Sequence, residues 1–253
     1  MSIKALIPVR SGSLRVENKN IRPFANSSLL EIKIRQMKRI QAMGLIDGVV
    51  VNSNCDEMLG VGKRLGVECI KREQKFAMNN SKINDVYVDI AKHFDADLML
   101  YVNCTNPLLS DMKLIESLKI YKDKKGDEDT LNSCHYVKEF LWRMDGGKSP
   151  INYDLSNVPR SQDLPNIVAL NFAINIVPTQ QMIEQKSIVG KNPILFLLDE
   201  IESVDIDNEI DFEFAEFLYQ KITIAPPPSS SPKSTVVFQT IAVDSNGWGV
   251  LYA

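Results

Sequence analysis

Apolar residues along this chain come in short runs divided by polar turns, and the runs alternate between two spacings. Residues 3–9 form a mostly apolar stretch that predicts a strand, and a polar, basic loop follows it. In SSLLEIKIRQMKRIQAMG at 27–44, Leu29, Ile32, Met37, Ile40 and Met43 recur at roughly helical spacing. Ser28 with Glu31 has the form of a capping box, and Gly44 stands at the C-terminal stop. The alternation then repeats: GVVVNSN at 48–54 predicts a strand, 56–65 a helix, 67–70 a strand, and 83–94 a helix with Val86, Val88, Ile90 and Ala91 on its apolar side. LMLYV at 98–102, apolar throughout and followed by a turn at 103–107, predicts a central strand, and 111–121 the next helix. Alternating strand and helix imply a parallel sheet covered on both faces, with ligands at the carboxyl ends of its strands.

From Thr130 the pattern changes. Strands are predicted at 131–137 and 140–144, then the turn DGGKSP at 145–150 and an irregular stretch to Pro165. Residues 138–167 read as an excursion from the sheet, a candidate arm for dimer contact. A strand at 168–177, a helix at 179–185, a strand at 194–198 and the segment ESVDIDNEIDFEFAEFLYQK at 202–221 complete a domain expected to span 1–224. APPPSSSP at 225–232 holds four prolines and three serines in eight residues, the composition of an extended linker. Residues 233–253 are too few for a core of their own and are assigned no role.

The bulk composition narrows the function classes. At 253 residues, 44% hydrophobic and 24% charged, the chain has the make-up of one soluble globular domain. A formal net charge of -3 supplies no overall positive field, so neither nucleic acid nor an anionic membrane is an expected partner, and any phosphate site must be local. No apolar run approaches the roughly 20 residues of a membrane span. The opening MSIKALIPVR lacks the cleavage pattern of a signal peptide, which makes the cytoplasm the expected location. Cys55, Cys69, Cys104 and Cys134 form no CxxC pair and His93 and His135 stand apart, so a zinc site is not expected.

Two segments carry candidate chemistry. In IPVRSGSLRVENKNIRPF at 7–24, cations and hydroxyl residues follow directly on the first strand. A triphosphate brings about four negative charges, and Arg10, Ser13, Arg15 and Lys19 offer both charge and donors, while Gly12 permits close backbone approach. A solvated basic turn is the competing reading, since neither a Walker A sequence nor GxGxxG is present. In the second segment, Asp205 and Asp207 stand two apart. On extended backbone both carboxylates reach one side, where a magnesium ion takes hard oxygen ligands, while Val204 and Ile206 face the core. The competing reading makes Asp207 the cap of the following helix.

Together these segments resemble the acylneuraminate and related 3-deoxy-sugar-acid cytidylyltransferases, whose opening motif runs approximately IPARGGSKRIPGKNIRPF. Ile7, Pro8, Arg10, Gly12, Ser13, Arg15, Lys19, Asn20, Ile21, Arg22, Pro23 and Phe24 stand where that pattern puts them, and ESVDIDNEIDFEFAE is similar to the family's ESVDIDTEEDFKIAE-like segment. The resemblance implies an α/β fold, three-layered and Rossmann-like as in nucleotide-diphospho-sugar transferases, with a mostly parallel sheet and helices on both faces. It implies transfer of CMP from CTP to an acidic sugar, with Mg2+ on Asp205 and Asp207 and a homodimer as the working form. Arg10, Gly12, Ser13, Arg15, Lys19 and Asn20 are then expected at the nucleotide. Arg10, Lys19 and Asp207 are the expected catalytic residues; no histidine is placed to serve as base for the anomeric hydroxyl, which leaves Asp207 or a metal-bound hydroxide for that role.

Weaker matches extend the set. The turn holding Asn103 and Thr105 resembles QPTSP, Arg160 and Gln162 before Leu164-Pro165 resemble RxQxLP, and NFAINI from Asn171 resembles NGAIYI; these imply sugar contacts. Arg160 either grips the substrate carboxylate in a bidentate manner or is a surface arginine. Arg72, Asn80 and Ser81 are carried over to the cytosine pocket, although RPxELA is missing there. Three departures stand out: Ser11 replaces a glycine, Leu14 a lysine facing the triphosphate, and Trp142 a substrate-binding lysine. They leave open a transferase for another base or sugar, or a catalytically silent relative.

Overall fold

Side chains of β1 (Ile3–Pro8) alternate between two cores: Ala5 and Ile7 enter one, Leu6 the other, and all three are fully buried. The structure, a computed structural model, describes residues 1–13 and 15–224; Leu14, the expected linker and the tail lie outside the described residues. The remaining elements follow as α1 (Leu29–Ala42), β2 (Gly48–Ser53), α2 (Asp56–Arg64), β3 (Glu68–Lys71), α3 (Ile83–Lys92), β4 (Leu98–Tyr101) and α4 (Asp111–Asp123). They continue as β5 (Thr130–Val137), β6 (Trp142–Arg143), β7 (Ser149–Pro150), β8 (Ile167–Pro178), α5 (Thr179–Gln185), β9 (Pro193–Leu197) and α6 (Glu209–Ile224).

Seven strands form one sheet in the order β3-β2-β1-β4-β8-β5-β9. All pairs are parallel except those of β8, which runs antiparallel between β4 and β5. Apolar residues of α1, α2, α4 and α6 fill one core, and those of α3 and α5 the other. The sheet is therefore mostly parallel, three-layered and covered on both faces. Chain direction along the sheet reverses between β1 and β4, which makes their carboxyl ends a topological switch point.

Local details differ from the sequence pattern at three places. The buried stripe of α1 runs through Leu29, Leu30, Ile34, Met37 and Ile40, while Ile32 is half-buried and Met43, beyond the last turn, is exposed. Val88 is likewise only half-buried on α3. The capping box closes on one side alone: the Ser28 hydroxyl accepts from the Glu31 N–H at 3.3 Å, but the Glu31 carboxylate turns to Arg35 and Arg64. Ser28→Ala should therefore lower stability by about 1 kcal/mol in urea denaturation, the loss of a single cap.

Among the described residues, the predicted strand at 140–144 shrinks to β6, which pairs only with β7 in a separate two-stranded ribbon. This ribbon is the excursion. It leaves the sheet after β5 and returns into β8, whose first residue Ile167 pairs with Val137. No helix among the described residues is long and apolar enough to cross a membrane.

Candidate active site

A cleft of about 580 Å3 opens at the switch point. Its walls come from the loop after β1, the turn after β4, the segment after β3, and the start of α3. Arg10, Ser13, Arg15, Lys19, Asn20, Arg72, Asn103 and Thr105 line it, as expected from the sequence. Tyr101, Cys104, Asn79, Ile83 and Val86 line it too, and the sequence reading did not single them out.

The basic loop is bent back over the sheet by contacts with α6. Phe24 is fully buried and meets the rings of Phe212 and Tyr219 edge-on at 5.2 and 5.5 Å. Arg22 makes a bidentate pair with Glu209 at 2.8 and 2.9 Å and stacks over Phe212. The end of the motif, residues 21–24, thus pins the loop to the helix that follows the two aspartates. Gly12 sits at φ +78, in the left-handed region that favours glycine, between Arg10 and Ser13 of the lining, though it is not itself among the lining residues.

That pinning brings residues 192 positions apart into contact: Arg15 Nη2 lies 2.8 Å from Asp207 Oδ1. Lys19 Nζ donates to the Ile206 carbonyl at 2.5 Å. Burial lowers the Lys19 pKa, while the charges of Asp205 and Asp207 act against that shift. The chain at 204–207 belongs to no strand or helix; Ile206 is fully buried, Val204 packs on the core, and Asp205 and Asp207 are exposed. Asp205 has its carboxyl pKa raised, chiefly by the surrounding protein and further by Asp207, against hydrogen bonding from Thr105.

The cap of α6 is Asn208, not Asp207. The Asp211 N–H donates to Asn208 Oδ1 at 3.1 Å, and the Asn208 N–H donates back to the Asp211 carboxylate at 2.9 Å. Asp207 is therefore not spent on the cap; neither it nor Asp205 is among the residues lining the cleft, and the Asp207 carboxylate meets the cleft through Arg15. Its carboxylate has no helix to satisfy.

The far end of the cleft is built on hydrogen bonds. Arg10 donates to the Ala77 carbonyl and to Asn79 Oδ1 at 3.1 and 2.8 Å. Asn54 links Ser11 to Gln74. Arg72 is buried against the Asn52 side chain at 2.6 Å, and burial lowers its pKa. Asn79, rather than Asn80 or Ser81, reaches the cleft; Asn80 is exposed and the Ser81 hydroxyl donates to the Lys75 carbonyl. In an irregular loop no periodicity fixes which of these neighbours turns inward.

Three expected sugar contacts stand elsewhere. Arg160 is exposed and paired with Asp163 at 2.6 Å, and Gln162 is exposed beside it, neither among the residues lining the cleft. Asn171 is buried in the sheet, its Oδ1 accepting from Ser133 at 2.5 Å. Next to it Phe172 holds φ +54, a conformation costing about 1–2 kcal/mol for a residue with a Cβ. This aims its carbonyl at the Asn103 and Asn175 amides, 3.2 and 3.0 Å away, and so fixes Asn103 at the cleft. Trp142 lies in the arm, its indole N–H donating to the Tyr153 hydroxyl.

A switch-point cleft with a cationic loop over paired carboxylates defines a nucleotide-binding transferase class. Residues 4–221 match the family described as Cytidylyltransferase, and the chain belongs to that family. It is an enzyme that transfers a cytidylyl group. The chain is 25% identical over 228 residues to the post-translational flagellin modification protein B of Campylobacter coli, covering 87% of this chain and 95% of the relative. It is 25% identical to the CMP-N,N'-diacetyllegionaminic acid synthase of Campylobacter jejuni, covering 88% and 97%. With the N-acylneuraminate cytidylyltransferase of Escherichia coli it shares 22% identity, over 87% of this chain and 52% of that one. A solved CMP:2-keto-3-deoxy-manno-octonic acid synthetase complexed with CTP superposes with a TM-score of 0.64 at 13% identity, covering 88% of this chain and all of that one. That likeness bears on the fold, the nucleotide-diphospho-sugar transferase architecture.

Proposed function

We propose that this enzyme transfers CMP from CTP to a nonulosonic acid related to sialic acid, releasing pyrophosphate. The observation that carries the reading is that Arg15 and Lys19, which line the cleft together with Arg10, also reach the aspartate segment at its edge: Arg15 pairs with Asp207, and Lys19 lies within electrostatic reach of Asp205 and Asp207. Relatives of nearly the same length, named for CMP-legionaminic acid synthesis, favour an acidic sugar as acceptor.

Asp205 and Asp207 would hold Mg2+. The donor set fits: two exposed carboxylates that repel each other, and a raised Asp205 pKa that a cation would relieve. Among the described residues no cluster of three or more His, Cys, Asp or Glu could hold a metal, which suits an ion that takes one or two carboxylates and completes its shell with phosphates. Bound there, the ion supplies positive charge at the transferring phosphate. Arg10 and Lys19 hold the phosphates and stabilise the departing pyrophosphate. Asp207, with Oδ1 engaged by Arg15, accepts the proton of the anomeric hydroxyl. Asn103 and Thr105 face the acceptor, and Arg72 with Asn79 the base.

The enzyme works as a homodimer joined through the arm, where Phe140, Trp142, Ile151, Leu155 and Val158 are all exposed. The four thiols are unpaired, which suits the reducing cytoplasm.

Pyrophosphate release from CTP, compared with the other nucleoside triphosphates, over a panel of acidic sugars with and without Mg2+ tests the reading. Turnover specific to CTP and one nonulosonic acid is the expected result. Equal turnover with UTP, or none with any acid, would refute it. Arg10→Met should raise KM for CTP by about tenfold, as expected for one lost charge-assisted contact.

A further inference from the structure

One buried cation takes no part in the site just described. Lys33 sits on α1 with 1% of its surface exposed, on the same stripe as Leu29, Met37 and Ile40. Among the described residues no carboxylate lies within ion-pair distance of it. Its ammonium donates instead to Gln36 Oε1 at 2.9 Å and to the Asn106 backbone carbonyl at 3.1 Å. Gln36 in turn donates to the Leu109 carbonyl at 2.6 Å, and Arg39 grips Asp111 at 2.6 and 2.8 Å. Lys33, Gln36 and Arg39, three apart on one helix face, thus hold residues 106–111 from below.

The same turn forms the floor of the cleft and touches the aspartate segment at three points. Asn106 Nδ2 donates to the Val204 carbonyl at 3.1 Å, the Ile206 N–H donates to the Thr105 carbonyl at 2.9 Å, and the Thr105 side chain is near enough to the Asp205 carboxyl to lower its pKa against the effect of burial. Cys104, buried in the floor, lies within electrostatic reach of Lys19 above and Lys33 below. An apolar residue of equal volume would pack at position 33 without desolvating a charge. Every bond Lys33 makes is spent on this turn or on the glutamine that also holds it.

We propose that Lys33 is a positioning residue for the metal-binding carboxylate: by bonding the Asn106 carbonyl it fixes the turn after β4 and, through Thr105 and Asn106, the orientation of Asp205. The inference rests on the reading of Asp205 and Asp207 as metal ligands. It predicts that Lys33 governs metal affinity and turnover while leaving the CTP contacts of the basic loop in place.

Mn2+ binding, followed by electron paramagnetic resonance on the wild type, Lys33→Met and Lys33→Gln, separates the possibilities. Both variants should bind Mn2+ about ten- to a hundredfold more weakly, the range found when a partner of a metal ligand is removed. Their kcat should fall with KM for CTP unchanged, a split that a general loss of folding does not produce. Asp205→Asn added to Lys33→Met should weaken Mn2+ binding no further than Asp205→Asn alone. Wild-type Mn2+ affinity in either folded variant overturns the inference alone. No Mn2+ binding by the wild type overturns the metal reading and the inference with it. Failure of both variants to fold, seen by circular dichroism, assigns Lys33 to stability only and also overturns it.

Discussion

Asp207→Ala lowers the rate of CMP transfer roughly a thousandfold, the scale of losing a general base, while the protein unfolds at the wild-type temperature. The two halves of this result have separate causes. The carboxylate is assigned both a share of the cation and the proton of the attacking hydroxyl, so its removal strikes one step twice. Stability is spared because the Asp207 side chain contributes only an ion pair with Arg15, and that pair is exposed at both ends, 68% and 53%. Asn208 and Asp211 continue to cap α6. Single-turnover rates at saturating CTP, set beside thermal unfolding, check both halves. Wild-type turnover in the variant would remove Asp207 from the chemistry.

Raising the pH from 8 to 10.5 stabilises the wild type relative to Lys33→Met by roughly 3 kcal/mol, at about 1.4 kcal/mol for each factor of ten in proton affinity. Burial pushes the Lys33 ammonium from its ordinary 10.5 down to about 8. Below pH 8 the lysine is charged in both states, and the folded state bears the full cost of hiding that charge. Between 8 and 10.5 the folded protein has released the proton while the unfolded chain still binds it. The unfolded state then holds more protons, so folding becomes more favourable as pH rises. Above 10.5 the group is neutral in both states and the cost is gone. Lys33→Met has no such slope. The unpaired Asn106 carbonyl and Gln36 amide shift its curve by a constant, so the comparison uses the difference between pH values. Urea denaturation of both proteins at pH 7.5 and 10.5 measures it; parallel curves would show that Lys33 titrates as an exposed lysine.

The layering of the molecule was legible because each strand and helix buries one side, and burial writes a period into the chain. The direction of β8 was not, since its buried run Ala173–Val177 reads the same whether its neighbours run with it or against it. Lys33 shows a different limit. Its place on the stripe of Leu29, Met37 and Ile40 was visible, but a lysine there is read as surface until the carbonyl it serves, 73 residues away, is known. For the cap of α6 the sequence reading weighed Asp207 alone, and the structure gives that role to its neighbour Asn208. Arg160 carried a local clue in Asp163, three residues on, which the structure shows as an ion pair. The convergence of Arg15 with Asp207 came from a motif match, and its physical cause, Phe24 and Arg22 clasping α6, appears only in three dimensions.

β8 has twelve residues and β4 only four, and their pairing ends at Asn175 opposite Tyr101. The earlier part of β8, with β5 beside it, therefore projects past the carboxyl edge by roughly 20 Å. The arm grows from the tip of this ledge, and both its roots are hydrogen-bonded to one another. Residues 138–166 thus lie beyond the last rung of the ladder, so the sheet pairing that positions the cleft does not pass through them.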